Sequence, residues 1–193
     1  MFQNITPITK NIIILNVIVF ILAMLIPQSY QYLAAFFPTS PYFKSWQIIT
    51  HMFMHGGFMH IAFNMLTFAS FGPVLERFLG EKKFVILYFL SGLGAFALFN
   101  LWEYYQLYQD AQPLIVEGLQ FSDILKGDFG KFPVRLEGNA QNIVNILSTP
   151  MVGASGAIFG VIAAFSLLYP NAEMFIMFIP FPIKAKVLFP ISI

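Results

Sequence analysis

The chain contains no cysteine. Disulfides, thiolate metal sites and a cysteine nucleophile are therefore excluded. Charge is almost as scarce: Lys, Arg, Asp and Glu make up 10% of the 193 residues, and the formal net charge is +1. Soluble domains carry about 25% charged residues. A near-neutral chain of this kind offers no electrostatic footprint for nucleic acid or for a strongly acidic partner. There is also no internal repeat and no low-complexity tract.

What the chain has instead is apolar surface. Hydrophobic residues account for 58% of it and the mean hydropathy is +0.74. That surplus is too large to hide in one core, and lipid is its natural solvent. A membrane-spanning helix needs about 20 mostly apolar residues. Four segments qualify: 11–27, closed by Pro27; 58–75, closed by Gly72-Pro73; 83–102; and 153–169, closed by Pro170. A fifth begins near Lys186 and meets the last residue, Ile193, before it can span. The expectation is an all-α, polytopic transmembrane helix bundle in the lipid bilayer. It forms a single domain over 1–193, with about four complete helices and a partial fifth, and is C-terminally truncated. The first apolar run is followed by Pro27-Gln28-Ser29-Tyr30 rather than a small-x-small cleavage site, so it predicts a retained helix and not a removed signal.

Two connections are long. Residues 28–57 carry aromatics and prolines suited to a segment at headgroup level. Residues 103–150 hold six of the nine acidic residues and predict an extended aqueous loop. Lys10, Arg77, Lys82, Lys83, Lys184 and Lys186 fall on one side of this topology. Among short segments, Lys44 stands alone on the other. The excess of Lys and Arg places the amino terminus in the cytoplasm and both long connections outside. A bacterial cytoplasmic membrane is the expected location for so compact a chain.

Polar groups inside spans are costly and mark functional sites by default. His60 and Asn64 lie four apart on one face of the second helix. Ser155 opens the fourth helix within Gly153-Ala154-Ser155-Gly156. Both helices enter from the same side, so topology alone puts the three at similar depth. Unpaired amides at a helix start point toward developing negative charge, so an oxyanion hole can be built beside a nucleophilic hydroxyl there. Plainer readings stand beside this one. Ser155 among glycines can be a packing residue, His60 a hydrogen-bonded core histidine, and Asn64 a polar contact between helices. His51 and His55 have ligand-pair spacing. They lack the His-Glu-x-x-His pattern and a carboxylate at matched depth, so the expectation is no metal, and hydrogen bonding within the 28–57 segment for both. A transport pathway fits less well, because the polar cluster sits near one surface rather than at the midplane.

These residues also carry a resemblance. Trp46 with His51-Met52-Phe53-Met54-His55-Gly56-Gly57-Phe58-Met59-His60-Ile61-Ala62-Phe63-Asn64 resembles the start of the second helix of rhomboid proteases. Gly72-Pro73-Val74-Leu75-Glu76-Arg77-Phe78-Leu79-Gly80 resembles the turn after that helix, and Gly153-Ala154-Ser155-Gly156-Ala157-Ile158-Phe159-Gly160 the family's serine motif. The resemblance implies a six-helix bundle that cuts transmembrane protein substrates with no metal or cofactor. It implies Ser155 as the nucleophile, with His60, Asn64 and Gly153 around the oxyanion, and a general-base histidine on a sixth helix. It implies a structural, loop-bracing role for Glu76. Where the family often has Trp-Arg, this chain has Trp46-Gln47, which puts a loop salt bridge in doubt. No histidine follows His60. A serine hydroxyl is a weak nucleophile without an adjacent base. These 193 residues alone are therefore expected to be inactive, and a catalytically inactive rhomboid-like protein that binds transmembrane helices is the alternative.

Overall fold

The computed structural model describes residues 5–132, 138–174 and 183–188. Four helices form the body: α1 (Pro7–Leu25), α4 (Phe58–Leu79), α5 (Glu81–Val116) and α8 (Ser155–Leu168). Short helices α2 (Gln28–Leu33) and α3 (Gln47–Thr50) lie between α1 and α4; α6 (Phe121–Lys126) and α7 (Gly138–Ser148) lie between α5 and α8. The all-α expectation holds among the described residues, apart from a two-residue antiparallel pair, β1 (Glu173–Met174) with β2 (Ile183–Lys184). One turn of helix, α9 (Ala185–Leu188), follows. The remainder of the expected fifth segment lies outside the described residues.

Among the described residues three helices, α1, α4 and α5, are long and apolar enough to cross a membrane. Their outer surfaces suit lipid. On α1, Ile14, Leu15, Ile18, Ile21, Leu22 and Leu25 are exposed, while the polar Thr9 and Asn16 are fully buried. Apolar side chains outward and polar ones toward the bundle is the distribution that a hydrocarbon solvent selects.

Ring contacts set the helix directions. Phe71 meets Phe165 at 5.1 Å and Phe78 meets Tyr169 at 6.1 Å, so α4 and α8 run parallel and end level. Gly156 lies against Ala95 and Gly160 against Ser91, so α8 runs antiparallel to α5. A Cβ at either glycine would overlap its neighbour, and this small-residue stripe is what lets the two backbones close up. The shared core is built from Met52, Phe68, Leu75, Phe84, Tyr88, Ile158 and Val161.

Three boundaries differ from expectation. α4 does not stop at Gly72-Pro73 but passes through Pro73 to Leu79, where Gly80 at φ 77° ends it. A proline lacks one donor, and in a membrane helix neighbouring groups tolerate that loss. α8 covers 14 residues, about 21 Å, less than a full span. The largest change concerns 103–150, expected as a loop. α5 continues to Val116, 36 residues or about 54 Å, well past a hydrocarbon thickness of about 30 Å. Leu107, Ala111 and Leu114 form a buried stripe on this extension. With Ile124, Ala140, Ile143 and Leu147 of α6 and α7 they make a second core, separate from the first. The segment is a small helical cap rather than an extended loop, because its sparse apolar residues recur at helical spacing and find one another.

Candidate active site

α8 is eight residues shorter than α4, 14 against 22. The Phe71–Phe165 contact puts Ser155 about level with Ile61, so α8 begins roughly 5 Å below the start of α4. The chain reaches that depth as irregular backbone, which is tolerable inside a bundle only when its polar groups are satisfied. Three of them are paired as follows: Ala35 and Met151 exchange N–H···O bonds of 3.0 and 2.7 Å, and the Gly153 N–H donates to the His51 carbonyl at 2.9 Å.

The 28–57 segment that supplies these partners is itself tied together by Gln47. Its fully buried amide accepts from the N–H groups of Lys44 (3.0 Å) and Phe36 (3.4 Å). It donates to the carbonyls of Gln31 (3.1 Å), Tyr42 (3.3 Å) and Tyr32 (3.4 Å). The departure from Trp-Arg noted in the sequence thus places a neutral fork where all of its partners are backbone groups. Its place at the centre of the segment went unread in the sequence; the Trp46-Gln47 departure was the signal that pointed there. Thr50 Oγ1 adds a bond to the Leu33 carbonyl at 2.7 Å.

Ser155 is the first residue of α8 and is half-buried. The helix bonds begin with Ile158 N–H to the Ala154 carbonyl, so the amides of Ser155, Gly156 and Ala157 face the helix start without an intrahelical acceptor. Immediately before it, Gly153 has φ 121°, a conformation that L side chains rarely adopt. A Cβ there would stand 2.8 Å from His60 Nε2 and 3.5 Å from Ser155 Oγ. The glycine thus marks the point where the imidazole edge and the hydroxyl converge.

His60 lies in the first turn of α4. Its Nδ1 accepts a long bond, 3.4 Å, from the Gly56 N–H. In a neutral ring an accepting Nδ1 leaves the proton on Nε2, so the donor edge faces Gly153. Asn64, one turn deeper, is buried, and its Nδ2 has no partner among the described residues. The four residues singled out in the sequence therefore fall at one end of α4 and α8, with His60 Nε2 and Ser155 Oγ both bordering Gly153.

The other two histidines part company. His51 is buried; its Nδ1 bonds the Gln47 carbonyl at 2.8 Å and its ring lies 5.5 Å from that of Phe96. Burial pushes its pKa down. His55, expected to hydrogen-bond in the same segment, does not: among the described residues neither ring nitrogen has a partner. It stands edge-on to His60 with ring centres 5.0 Å apart. Burial first, and the neighbouring His60 second, hold its pKa at about 4, while the Phe53 carbonyl opposes them without completing a hydrogen bond.

At the far end of the bundle, buried Glu76 accepts from the N–H groups of Ile8 (3.0 Å) and Thr9 (2.8 Å) and from the hydroxyls of Thr6 and Thr9. Its carboxylate therefore caps the start of α1, with both orphan amides and the positive end of the helix dipole on it. The bracing expected of Glu76 is directed at another helix rather than at a loop.

Fold and site together define a multi-pass helical membrane protein with a recessed serine at a helix start. The family model described as Rhomboid domain matches residues 42–119. Rhomboid protein 1, mitochondrial, of Saccharomyces cerevisiae is 32% identical over 146 residues, 76% of this chain and 32% of that protein. Rhomboid protease GlpG of Klebsiella pneumoniae is 33% identical over 93 residues, 47% of this chain and 34% of its own length. Rhomboid protease GlpG of Salmonella choleraesuis is 34% identical over 89 residues, 45% and 32% of the two chains. The chain belongs to the rhomboid family and spans about a third of the length of these relatives.

Proposed function

We propose that this protein is an intramembrane serine endopeptidase that cleaves transmembrane protein substrates, with Ser155 as nucleophile. The observation that carries the reading is the convergence of Ser155 Oγ and the His60 Nε2 edge on Gly153. Ser155 Oγ adds to the scissile carbonyl carbon and its proton passes to a general base. The negative charge that develops on the carbonyl oxygen is met by His60 Nε2–H, the unpartnered Asn64 amide and the free amides at the start of α8, where Gly153 keeps the approach open. Collapse expels the leaving amine and leaves an acyl-serine, which water hydrolyses.

The base comes from outside these 193 residues. His60 presents its donor edge to the site, His51 is held by the Gln47 carbonyl, and His55 takes a proton only near pH 4. A histidine on a further helix, as the family resemblance implies, meets the need. No cofactor takes part. The excess of Lys and Arg on the far face orients the amino terminus to the cytoplasm, with the site and the 103–150 cap outside; a bacterial cytoplasmic membrane suits the two bacterial relatives. Water enters from that outer side, so cleavage falls near the extracytoplasmic end of the substrate, where a locally unwound helix exposes its carbonyl.

The test uses protein expressed from its natural reading frame, reconstituted with a transmembrane substrate. Cleavage that Ser155→Ala abolishes, with fluorophosphonate labelling at Ser155, supports the reading. Cleavage persisting in Ser155→Ala refutes it. Because none of the three histidines is disposed as a base, the alternative is an inactive relative that binds transmembrane helices without cutting them. Substrate retention with no labelling of Ser155 distinguishes it.

A further inference from the structure

The cap leaves an open cleft of about 630 Å³ between the extension of α5 and α7. That volume falls in the range of ligand-binding sites, roughly 300–1,000 Å³. Its position ties it to the serine in two ways. Ala95 packs on Gly156, beside Ser155, and the cleft begins at Phe99, one turn further along the same helix. It ends on α5 at Asp110, so it covers levels about 6 to 22 Å beyond the serine. Its other wall closes at Thr149 and Pro150, the residues that lead directly into the irregular backbone before Ser155.

The lining has a definite chemistry. Glu103 and Asp110 lie seven apart, two turns along one face of α5. Among the described residues neither has an ion-pair partner; the cap's ion pairs instead join Lys131 to Asp123 and Asp128. Asp110 accepts one long bond, 3.4 Å, from Asn142. Across residues 103–132 five acids face two lysines, so the cap carries a net negative charge. Trp102 and Tyr105 stand beside the carboxylates with ring centres 5.7 Å apart, both exposed. Carboxylates to pair a cation and aromatic faces to stack its stem are the groups that hold lysine or arginine side chains. The cleft's length suits extended peptide, which rises about 3.3 Å per residue.

We infer that this cleft is a substrate-docking site: it takes the extramembrane segment of the substrate, about two to seven residues from the cut bond, and selects for Lys or Arg there. The inference rests on the protease reading above, since the distances are counted from Ser155. It makes the cap a specificity element, with the bond choice made at the serine and part of the substrate choice made on α5.

The test measures binding apart from cleavage. Ser155→Ala protein in maltoside micelles is titrated into a fluorescent, extended peptide of ~12 residues bearing a Lys-Arg pair, and into the same peptide with Glu-Glu in its place. The expected result is about tenfold tighter binding of the basic peptide, and a reversal of that preference in a Glu103→Lys, Asp110→Lys double variant. Reversal cannot come from misfolding. Equal affinity for the two peptides, or a preference unmoved by the charge swap, overturns the proposal. So does displacement of the basic peptide by phosphocholine detergent at low occupancy, which would assign the cleft to lipid headgroups. Failure of the wild-type protein to cleave, with the binding preference intact, would count against the protease reading and not against the cleft.

Discussion

The Glu76 carboxylate and Thr9, 67 residues apart in sequence, are joined twice: by the Thr9 amide and by its hydroxyl, each at 2.8 Å. Gly72 lies directly beneath, where a Cβ would meet Thr9 at 2.8 Å. One buried anion thus fastens the beginning of α1 to the end of α4. Glu76→Ala removes the acceptor from two amides and two hydroxyls, leaving buried donors unmade. It should lower stability by about 2–4 kcal/mol, and Glu76→Gln by less. Thermal unfolding followed through Trp46 and Trp102 fluorescence measures this; an unchanged midpoint for Glu76→Ala would show that α1 needs no cap.

Gly153 is where a single methyl would intrude between His60 and Ser155. Gly153→Ala faces both the φ of 121° and the His60 ring at 2.8 Å. The expected outcome is about 100-fold less fluorophosphonate labelling and cleavage, since small displacements of reacting groups cost that much. The unfolding midpoint should move far less than activity. Labelling at the wild-type rate would mean that the approach to Ser155 does not pass this glycine.

The α5–α8 seam can be tested by contrast. Gly160→Val thrusts atoms into Ser91 and should cost about 1–3 kcal/mol by overpacking. Gly94 on the same α5 helix has open space around it, so Gly94→Ala should be neutral or stabilising by up to about 1 kcal/mol. Equal effects at the two sites would contradict the packing described.

Stability should fall with acid through His55. Its folded pKa, about 4, lies below the ordinary 6.5, so between these values the unfolded chain binds the extra proton. Stability contributed by the neutral ring is complete above pH 6.5, declines as pH drops toward 4, and is not lost further below that. His51, also held down by burial, adds in the same direction. His55→Phe should flatten the difference in unfolding midpoint between pH 7 and pH 4.5. A wild-type slope retained in full by the variant would remove His55 from the account.

Much of this protein was legible as text. Apolar runs near 20 residues announced the spans, because only lipid accepts them and each must satisfy its own backbone. His60, Asn64 and Ser155 stood out because polar groups are expensive there. Their shared end followed from counting crossings. The extent of α5 did not. Its apolar density drops after 102, and polar residues on an exposed helix look like polar residues in a loop until their partners are known.

Sequence alone determined which segments enter the membrane, since transfer from water to lipid is a sum over local residues. It also determined which side chains could do chemistry. Tertiary structure decided the rest, because it depends on neighbours far along the chain. Glu76 reaches α1 only when α4 returns beside it. Gln47 is satisfied only by a loop folded around it, and His55 loses its hydrogen bonds only once that loop is buried. Leu107, Ala111 and Leu114 become a core only when Ile143 and Leu147 pack on them. The convergence on Gly153 is likewise a relation between helix starts 97 residues apart, set by irregular backbone that dips into the bundle.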